Sequence, residues 1–270
     1  MIDAFFQKAL PLLEGRLQNL LNSSGPLFDA ARYSIFSGGK RVRPLLLLAA
    51  LETYGAPLEK GLCAASALEC IHTYSLIHDD LPCMDNDDLR RGKPTLHRVF
   101  PEWHALLTGD YLLTFAFEVL ANSPHLLAAE KLDLIQLFST QSGAQGMIGG
   151  QMLDLSYSAP FTQEKLEALH SHKTAALFSC ALEAAAIIAQ VSLEDRLLLR
   201  ECGVKLGIAF QVHDDLQDAP HDSSSNAATL LGPDAAQSYK RALLTDATTL
   251  LSKLSQEAPL LHSFLSKIFV

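Results

Sequence analysis

The chain has 270 residues, of which 49% are hydrophobic and 19% are charged, and its formal net charge is -9. This composition can bury a core, so it excludes a disordered chain, and the length suits one large domain. The acidic balance excludes a nucleic-acid-binding surface, which needs a basic stripe.

We find no targeting or membrane-spanning segment in the sequence. Residues 1–10 lack a basic region followed by an apolar run and a cleavage site, so we predict no signal peptide. The richest apolar stretches, residues 44–51 and 184–191, are shorter than the ~18–20 residues that a membrane span needs. The five cysteines are scattered, which is typical of reduced thiols in a cytoplasmic protein. We therefore expect a cytoplasmic protein without a membrane span or a zinc site.

Apolar residues recur at helical spacing through most of the chain, and the alternating pattern typical of strands is hard to find. The predicted helices are, in chain order, residues 58–77, 103–121, 129–148, 162–169, 175–190, 193–216 and 235–254. Glycine and proline residues fall between them, and no interior stretch has the composition of a domain linker. We predict an all-α fold, a helical bundle with a single domain over residues 1–270.

The first acidic cluster follows the predicted helix at residues 58–77. Its carboxylates are those of Asp79, Asp80, Asp85, Asp87 and Asp88. Pro82 disfavours continuing the helix, so these groups gather near a helix C-terminus, whose partial negative charge attracts cations. Hard oxygen ligands without a nearby pair of thiolates select Mg²⁺ over zinc. A solvated acidic loop is the alternative interpretation of this cluster taken alone.

A second acidic cluster, residues 214–218 (DDLQD), ends the predicted helix that begins at residue 193. Four side chains fall at i, i+3, i+4 and i+7 and so share one helix face: Gln211, Asp214, Asp215 and Asp218. This face continues an apolar stripe, which places the carboxylates at the edge of a core. Metal ions that bridge a diphosphate between the two clusters would explain both of them.

The first basic segment, residues 38–44, could hold an anion. A glycine turn is followed by Lys40 and Arg43, and then by Pro44 at a predicted first helical position. Lys40 and Arg43 lie three residues apart and can converge on one anion, the arginine through its planar fork.

Other basic groups lie next to the first acidic cluster. Arg90 and Arg91 directly follow it, and His72 lies two helical turns before Asp79. Each of these groups alone could be a surface charge. Together, the basic and acidic segments predict two anion sites, one with metal and one without.

These segments resemble the short-chain trans-prenyl diphosphate synthases, and most closely the bacterial farnesyl diphosphate synthases with their plant geranylgeranyl relatives. Residues 79–85 (DDLPCMD) are similar to the first aspartate-rich motif of that family in its two-residue-longer form, and residues 214–218 to the second. Four further segments match in order and spacing: residues 39–44 (GKRVRP), 90–95 (RRGKPT), 172–175 (HKTA) and 210–214 (FQVHD). The similarity runs from about residue 30 to residue 218.

The resemblance implies a deep cavity within the bundle, the isoprenoid synthase type of fold, and a homodimer. It implies three Mg²⁺ ions, held by Asp79, Asp85 and Asp214. Isopentenyl diphosphate would be bound by Lys40, Arg43, His72 and Arg91. The allylic diphosphate would be bound by Arg90 and Lys173, and Thr174 and Gln211 would line the site where positive charge develops. Two further carboxylates would orient bound water, those of Asp80 and Asp218.

The implied reaction is the head-to-tail condensation of isopentenyl diphosphate with dimethylallyl or geranyl diphosphate. In this family, the residue five before the first aspartate often forms the floor of the hydrocarbon cavity, and here it is Tyr74. Its ring lies about 1.5 helical turns from Asp79 and would shorten the cavity, so we predict farnesyl diphosphate, the C15 product. Two alternatives stay open: Tyr74 as an ordinary core aromatic, and a C20 product, because residues 83–86 (CMDN) look like the plant enzymes.

One segment departs from the family pattern. Relatives carry lysines after the second aspartate motif, whereas no Lys or Arg occurs between Lys205 and Lys240 here. Residues 219–226 are polar and serine-rich, as if a basic loop had been deleted. We expect weaker allylic substrate binding than in relatives, or a compensating group elsewhere.

Two other functions fit parts of the sequence. A terpene cyclase shares the fold and an aspartate cluster, but it would not need the basic site for isopentenyl diphosphate. A non-catalytic partner subunit would fit the missing lysines, but it would be expected to have lost aspartates such as Asp79 and Asp214, which remain. A purely structural helical protein would have no reason to assemble these clusters.

Overall fold

Helices packed around a common apolar core make up the protein, whose computed structural model describes residues 1–156, 162–218 and 226–269. In chain order they are α1 (Ile2–Leu20), α2 (Pro26–Ile35), α3 (Val42–Thr53), α4 (Leu58–Asp79), α5 (Leu96–Val99), α6 (Glu102–Ala121), α7 (Ala128–Ser142), α8 (Met147–Ser156), α9 (Gln163–His170), α10 (Ala176–Ala189), α11 (Leu193–Asp218), α12 (Ala227–Leu231), α13 (Pro233–Leu251) and α14 (Pro259–Ile268). A hairpin of β1 (Leu89–Arg90) and β2 (Lys93–Pro94) precedes α5, and a π-helical turn, Ser171–Ala175, joins α9 to α10. The predicted all-α fold is confirmed.

Helices α3 and α10 lie at the centre of the bundle. Every residue of α10 from Ala176 to Ile188 is buried, and so are the residues of α3 from Pro44 to Leu51. A helix that is apolar on all sides is stable only when neighbours cover all of it. Helix α10 packs against α3 and α11, and α4 packs against α3 and α6. The two helices that carry the acidic motifs, α4 and α11, therefore flank this centre.

The continuous helix Gln163–Ala189 has the length and apolar composition of a membrane span. Its most apolar window is, however, 83% buried inside the protein. This burial is what a core helix of a soluble protein shows, so the helix gives no support for a membrane span.

The predicted helix at residues 129–148 is wrong in its middle, because α7 ends at Ser142 and α8 begins at Met147. Two glycines allow the chain to turn there. A Cβ atom at Gly143 would lie 2.6 Å from the carbonyl oxygen of Ser139, and one at Gly146 only 1.9 Å from that of Gln141. A residue with a side chain would therefore clash at either of these two positions.

The break predicted between residues 169 and 175 is also wrong, because the π turn continues the helix through it. The turn inserts an extra residue into the helical ladder, a distortion that often marks a functional site. Two glycines lie close to this turn. A Cβ atom at Gly150 of α8 would lie 2.2 Å from the backbone nitrogen of Lys173, and one at Gly207 of α11 would lie 2.4 Å from the Cα of Ala175. Helices α8 and α11 therefore both pack closely against the π turn.

The N-terminal helices α1 and α2 and the C-terminal α14 were not predicted from the sequence, and of α3 only the start was predicted, at Pro44. Pro44 also lies later in its helix than expected, since α3 begins at Val42. It is still in the first turn, where the missing N–H has no intrahelical partner.

Candidate active site

A cavity of about 940 Å³ opens between α3, α4, α8, α10 and α11. Twelve residues predicted to bind metal or substrate line it: Lys40, Arg43, His72, Tyr74, Asp79, Asp85, Arg90, Arg91, Lys173, Thr174, Gln211 and Asp214. These residues come from separate segments of the chain. The fold therefore gathers the acidic and basic motifs around one space.

The first acidic motif reaches the cavity from the C-terminal end of α4. The loop after the helix folds back on itself, and the Asp85 N–H donates to the carbonyl oxygen of Asp79 at 2.9 Å. Burial, with smaller contributions from Asp85 and Asp80, raises the pKa of Asp79 to about 6, although Lys173 opposes the shift. Burial likewise raises the pKa of Asp85. A cation nearby would stabilise the ionised form of both carboxylates.

The second acidic motif faces the same cavity from α11, through Asp214. In the part of the chain that the structure describes, no three His, Cys, Asp or Glu side chains form a ready-made metal cluster. Mg²⁺ is usually held by one or two carboxylates, with substrate phosphates and water supplying its other ligands. Carboxylates divided between α4 and α11 fit that mode of binding, in which the diphosphate completes the coordination.

A group of basic residues lines the same cavity. Arg43 Nη1 is 3.4 Å from His72 Nε2, and the Arg43 guanidinium lies 4.7 Å from the centre of the Phe178 ring. Burial, reinforced by Arg91, lowers the pKa of Arg43 to about 10, against the opposing charges of Glu69 and Asp214. Burial and the nearby arginines hold the pKa of His72 well below its ordinary value. This cluster of positive charge is suited to bind an anion.

Arg41, between the two predicted binding residues of its segment, has a structural role instead. It is only 5% exposed, and its guanidinium contacts the carboxylates of Glu14 and Glu69, each at 2.7 Å. A third hydrogen bond runs to the carbonyl oxygen of Ile35 at 2.6 Å. Arg41 therefore ties α1 and α4 to the glycine turn, although it lies in the cavity lining between Lys40 and Arg43.

The glycine turn also holds Arg91. Arg91 Nη1 donates to the carbonyl oxygen of Gly38. The backbone φ of Arg91 is 54° and that of Gly92 is 75°, which makes them the two-residue turn of the β1–β2 hairpin. A Cβ atom at Gly39 would lie 2.5 Å from Arg91 Nη1, so only glycine leaves room for this arginine.

Asp80 makes a different contact from the one expected. Its carboxylate, only 4% exposed, accepts from Arg90 Nε at 2.7 Å and lies 2.6 Å from Arg90 Nη2. Asp80 therefore fixes the direction of Arg90, and its side chain does not line the cavity. Its expected role in orienting bound water stays a prediction. Asp218 was expected to have the same role, but the structure does not describe its side chain. Residues 219–225 of the lysine-poor segment also lie outside the described residues.

Helix α8 contributes two cavity-side residues that the sequence analysis missed. Asp154, which lies next to the cavity without lining it, accepts at Oδ2 from Nζ of the cavity-lining Lys173 at 2.6 Å and so fixes the direction of this lysine. Gln151 lines the cavity, and both polar atoms of its buried amide lack a partner among the described residues. The two residues fall at i and i+3 after Gly149-Gly150, a spacing that could have signalled a polar helix face.

A chain of polar side chains crosses from the π turn to α11. Thr174 donates to Gln211, and Gln211 donates to Asp215, which is buried. Burial opposes ionisation of Asp215, but hydrogen bonds from His170, Ala227 and Gln211 outweigh it and hold the pKa of this carboxyl below its ordinary value. Asp215 is therefore an ionised group beneath the cavity wall, whereas Asp214 lines the cavity itself.

The side chain of Tyr74 also lines the cavity. It is 4% exposed, its ring meets the His78 ring edge to face at 5.7 Å, and its hydroxyl lacks a partner among the described residues. Other lining residues are apolar: Met147, Ile148, Leu155, Leu177 and Phe210. The cavity thus combines charged groups with an apolar wall that includes an aromatic ring.

Comparisons with known proteins agree with this geometry. Residues 25–257 match the family model described as polyprenyl synthetase. The chain is 44% identical over 246 residues to the farnesyl diphosphate synthase of Micrococcus luteus, covering 89% of this chain and 81% of that protein. It is 43% identical over 206 residues to a chloroplastic geranylgeranyl pyrophosphate synthase of Capsicum annuum, covering 75% of this chain and 56% of that protein.

A solved structure gives the same result at the level of the fold. The apo crystal structure of an FPP/GFPP synthase from Zymomonas mobilis superposes with a TM-score of 0.92 at 38% identity, covering 99% of this chain and 100% of that one. The resemblance that the motifs indicated is therefore confirmed. The chain belongs to the polyprenyl synthetase family and is a trans-prenyl diphosphate synthase.

Proposed function

We propose that the protein makes farnesyl diphosphate by magnesium-dependent condensation of isopentenyl diphosphate with dimethylallyl or geranyl diphosphate. The observation that carries the proposal is that both aspartate motifs and both basic segments line one cavity, whose apolar wall includes Tyr74. The name of the Micrococcus luteus relative supports the C15 product.

Asp79 and Asp85 on one side and Asp214 on the other would hold three Mg²⁺ ions together with the diphosphate. Carboxylates without thiolate partners suit this hard cation. When bound, the ions would neutralise the diphosphate and stabilise it as a leaving group.

The chain's own residues supply the rest of the chemistry. Arg90 and Lys173 would bind the allylic diphosphate, whose C–O bond breaks with its electron pair left on the diphosphate oxygen. Thr174 and Gln211 would face the carbon that becomes positive, and the apolar wall would exclude water from it. The isopentenyl double bond then attacks this carbon, and the released diphosphate takes the proton. No protein nucleophile is needed.

The test of the proposal is a product assay by mass spectrometry with isopentenyl and geranyl diphosphates. We expect farnesyl diphosphate when Mg²⁺ is present and no product when EDTA removes it. A C20 product would favour the geranylgeranyl alternative, which the Capsicum annuum relative keeps open. Hydrocarbon formed without isopentenyl diphosphate would show a terpene cyclase, and no turnover at all would favour the partner subunit.

Gly39→Ala is expected to raise the KM for isopentenyl diphosphate about tenfold or more, since one charge-assisted hydrogen bond contributes ~1.5–3 kcal/mol. The added methyl group would displace the Arg91 guanidinium, whose Nη1 would lie 2.5 Å from it. Gly38→Ala is the matched control, because Gly38 also has a positive φ, +106°, but has open space around its Cβ position. Equal KM values in the two variants would refute a role for Arg91.

The homodimer and the cytoplasmic location remain predictions. Three exposed apolar side chains lie near the start of α6 and offer a face for a second copy: Trp103, Leu106 and Leu107. Larger exposed apolar patches commonly mark protein–protein contacts.

A further inference from the structure

We propose that Asp215 is a positioning residue whose carboxylate decides which end of the Gln211 amide faces the reacting allylic carbon. This inference rests on the proposed condensation. It concerns a residue that does not line the cavity but holds one that does.

The Gln211 amide is held at both ends. Thr174 Oγ1 donates to Gln211 Oε1 at 2.6 Å, and Gln211 Nε2 donates to Asp215 Oδ1 at 2.9 Å. A threonine hydroxyl can donate or accept, so Thr174 fits either orientation of the amide. An ionised carboxylate only accepts, so it must face the N–H end. Asp215 is therefore the partner that fixes Nε2 toward itself and Oε1 toward Thr174.

Asp215 is itself held in place by two groups. Its Oδ2 accepts from the backbone N–H of Ala227 at 2.8 Å and lies 3.4 Å from His170 Nε2. Asp215 is 6% exposed and His170 is 3% exposed, so water does not compete for these contacts. One carboxylate oxygen therefore contacts Ala227 of α12 and His170 of α9, and the other accepts from Gln211.

This orientation has an electrostatic consequence. A carbonyl oxygen has two lone pairs, and Thr174 uses only one of those on Gln211 Oε1. The other is available to the cavity, which both residues line. A dipole that is fixed by the fold, with its negative end toward a carbon that becomes positive, stabilises the transition state without reorganisation. The flipped amide would present its N–H groups and oppose the same charge.

Asp215→Asn tests the proposal directly. The buried Ala227 N–H still requires an acceptor, so the oxygen of the introduced amide would face it and the NH₂ of that amide would face Gln211. Gln211 would then have to flip to accept from this NH₂. We expect kcat to fall about 100-fold, as for the loss of one oriented dipole, with both KM values and the Mg²⁺ concentration for half-maximal rate within about threefold of wild type.

The double variant Asp215→Asn with Gln211→Glu is the diagnostic step. The carboxylate introduced by Gln211→Glu accepts both from Thr174 and from the NH₂ introduced by Asp215→Asn, so an oxygen faces the cavity again. We expect the double variant to recover at least about tenfold in kcat over Asp215→Asn alone. A purely structural role for Asp215 would predict no such rescue, because the double variant still lacks the buried carboxylate.

Asp195→Asn is the matched control for stability. Asp195 is a buried carboxylate of the same helix, and it accepts from Tyr54 and from the backbone and side chain of Ser255. We expect it to lower the melting temperature but to leave kcat of the folded enzyme unchanged.

Three results would overturn the inference while wild type remains active: an unchanged kcat in Asp215→Asn, a raised Mg²⁺ requirement that Gln211→Glu does not relieve, or a double variant that is no faster than Asp215→Asn. The second result would mean that Asp215 serves the metal. Failure of the proposed function is a separate outcome, because wild type itself would then make no product from isopentenyl and geranyl diphosphates.

Discussion

Asp79→Asn and Asp214→Asn are each expected to lower kcat by about 1000-fold, because metal stabilisation of a leaving group is worth several kcal/mol and each ~1.4 kcal/mol is a factor of ten. The kcat of the double variant should be only slightly lower than that of the less active single variant. Both carboxylates would act on the same diphosphate through shared ions, and groups that work as one unit give strongly non-additive losses. Steady-state kinetics at saturating Mg²⁺ measures these effects.

Asp88→Asn is the control for this series. Asp88 belongs to the same acidic cluster, but its side chain is 71% exposed, and it pairs with Arg98 outside the cavity. An exposed ion pair contributes ~0–1 kcal/mol, so we expect kcat to change less than about threefold. Fully additive losses in the double variant would contradict a shared diphosphate and indicate two independent metal sites.

Tyr74→Ala is expected to change the main product from C15 to C20 or longer. Tyr74 lines the cavity five residues before Asp79, about 7.5 Å along α4, and removing its ring opens space for a further isoprene unit. Its hydroxyl lacks a partner among the described residues, so the substitution breaks no polar contact there. Mass spectrometry of products from geranyl and isopentenyl diphosphates measures the change in length.

Tyr111→Ala serves as the comparison for chain length. Tyr111 is an aromatic residue of α6 that stacks on Phe115 and does not line the cavity. We expect it to leave the product at C15, even if the protein is less stable. An unchanged product in Tyr74→Ala would show that this tyrosine does not form the floor of the cavity and that another residue limits the product length.

The chemistry of the site could be predicted from the sequence because its residues belong to short, contiguous motifs. Asp79, Asp85 and Asp214 were recognisable from their spacing and from the helices that they end. The basic groups were recognisable in the same way, and all of these residues meet at one cavity. Local spacing identified the two acidic clusters and the basic segments, whereas the expected roles of Lys173, Thr174 and Tyr74 came from the resemblance to the prenyl diphosphate synthases.

The pairing of those groups could not be predicted, because it depends on contacts between distant segments. The pairs formed by Lys173 with Asp154 and by Arg90 with Asp80 follow from how α8 and the hairpin pack against their neighbours. Periodicity also missed the π turn, because a single inserted residue leaves the apolar pattern on both sides intact. The close approach of Gly150 to the π turn is visible only in the structure.

The most direct measurement is a crystal structure of the protein soaked with Mg²⁺ and a bisphosphonate. The account predicts Asp79, Asp85 and Asp214 within ~2.0–2.1 Å of magnesium ions that all contact the one ligand. If Asp79 and Asp214 were found to point into separate regions, with no ligand between them, the central claim would be wrong.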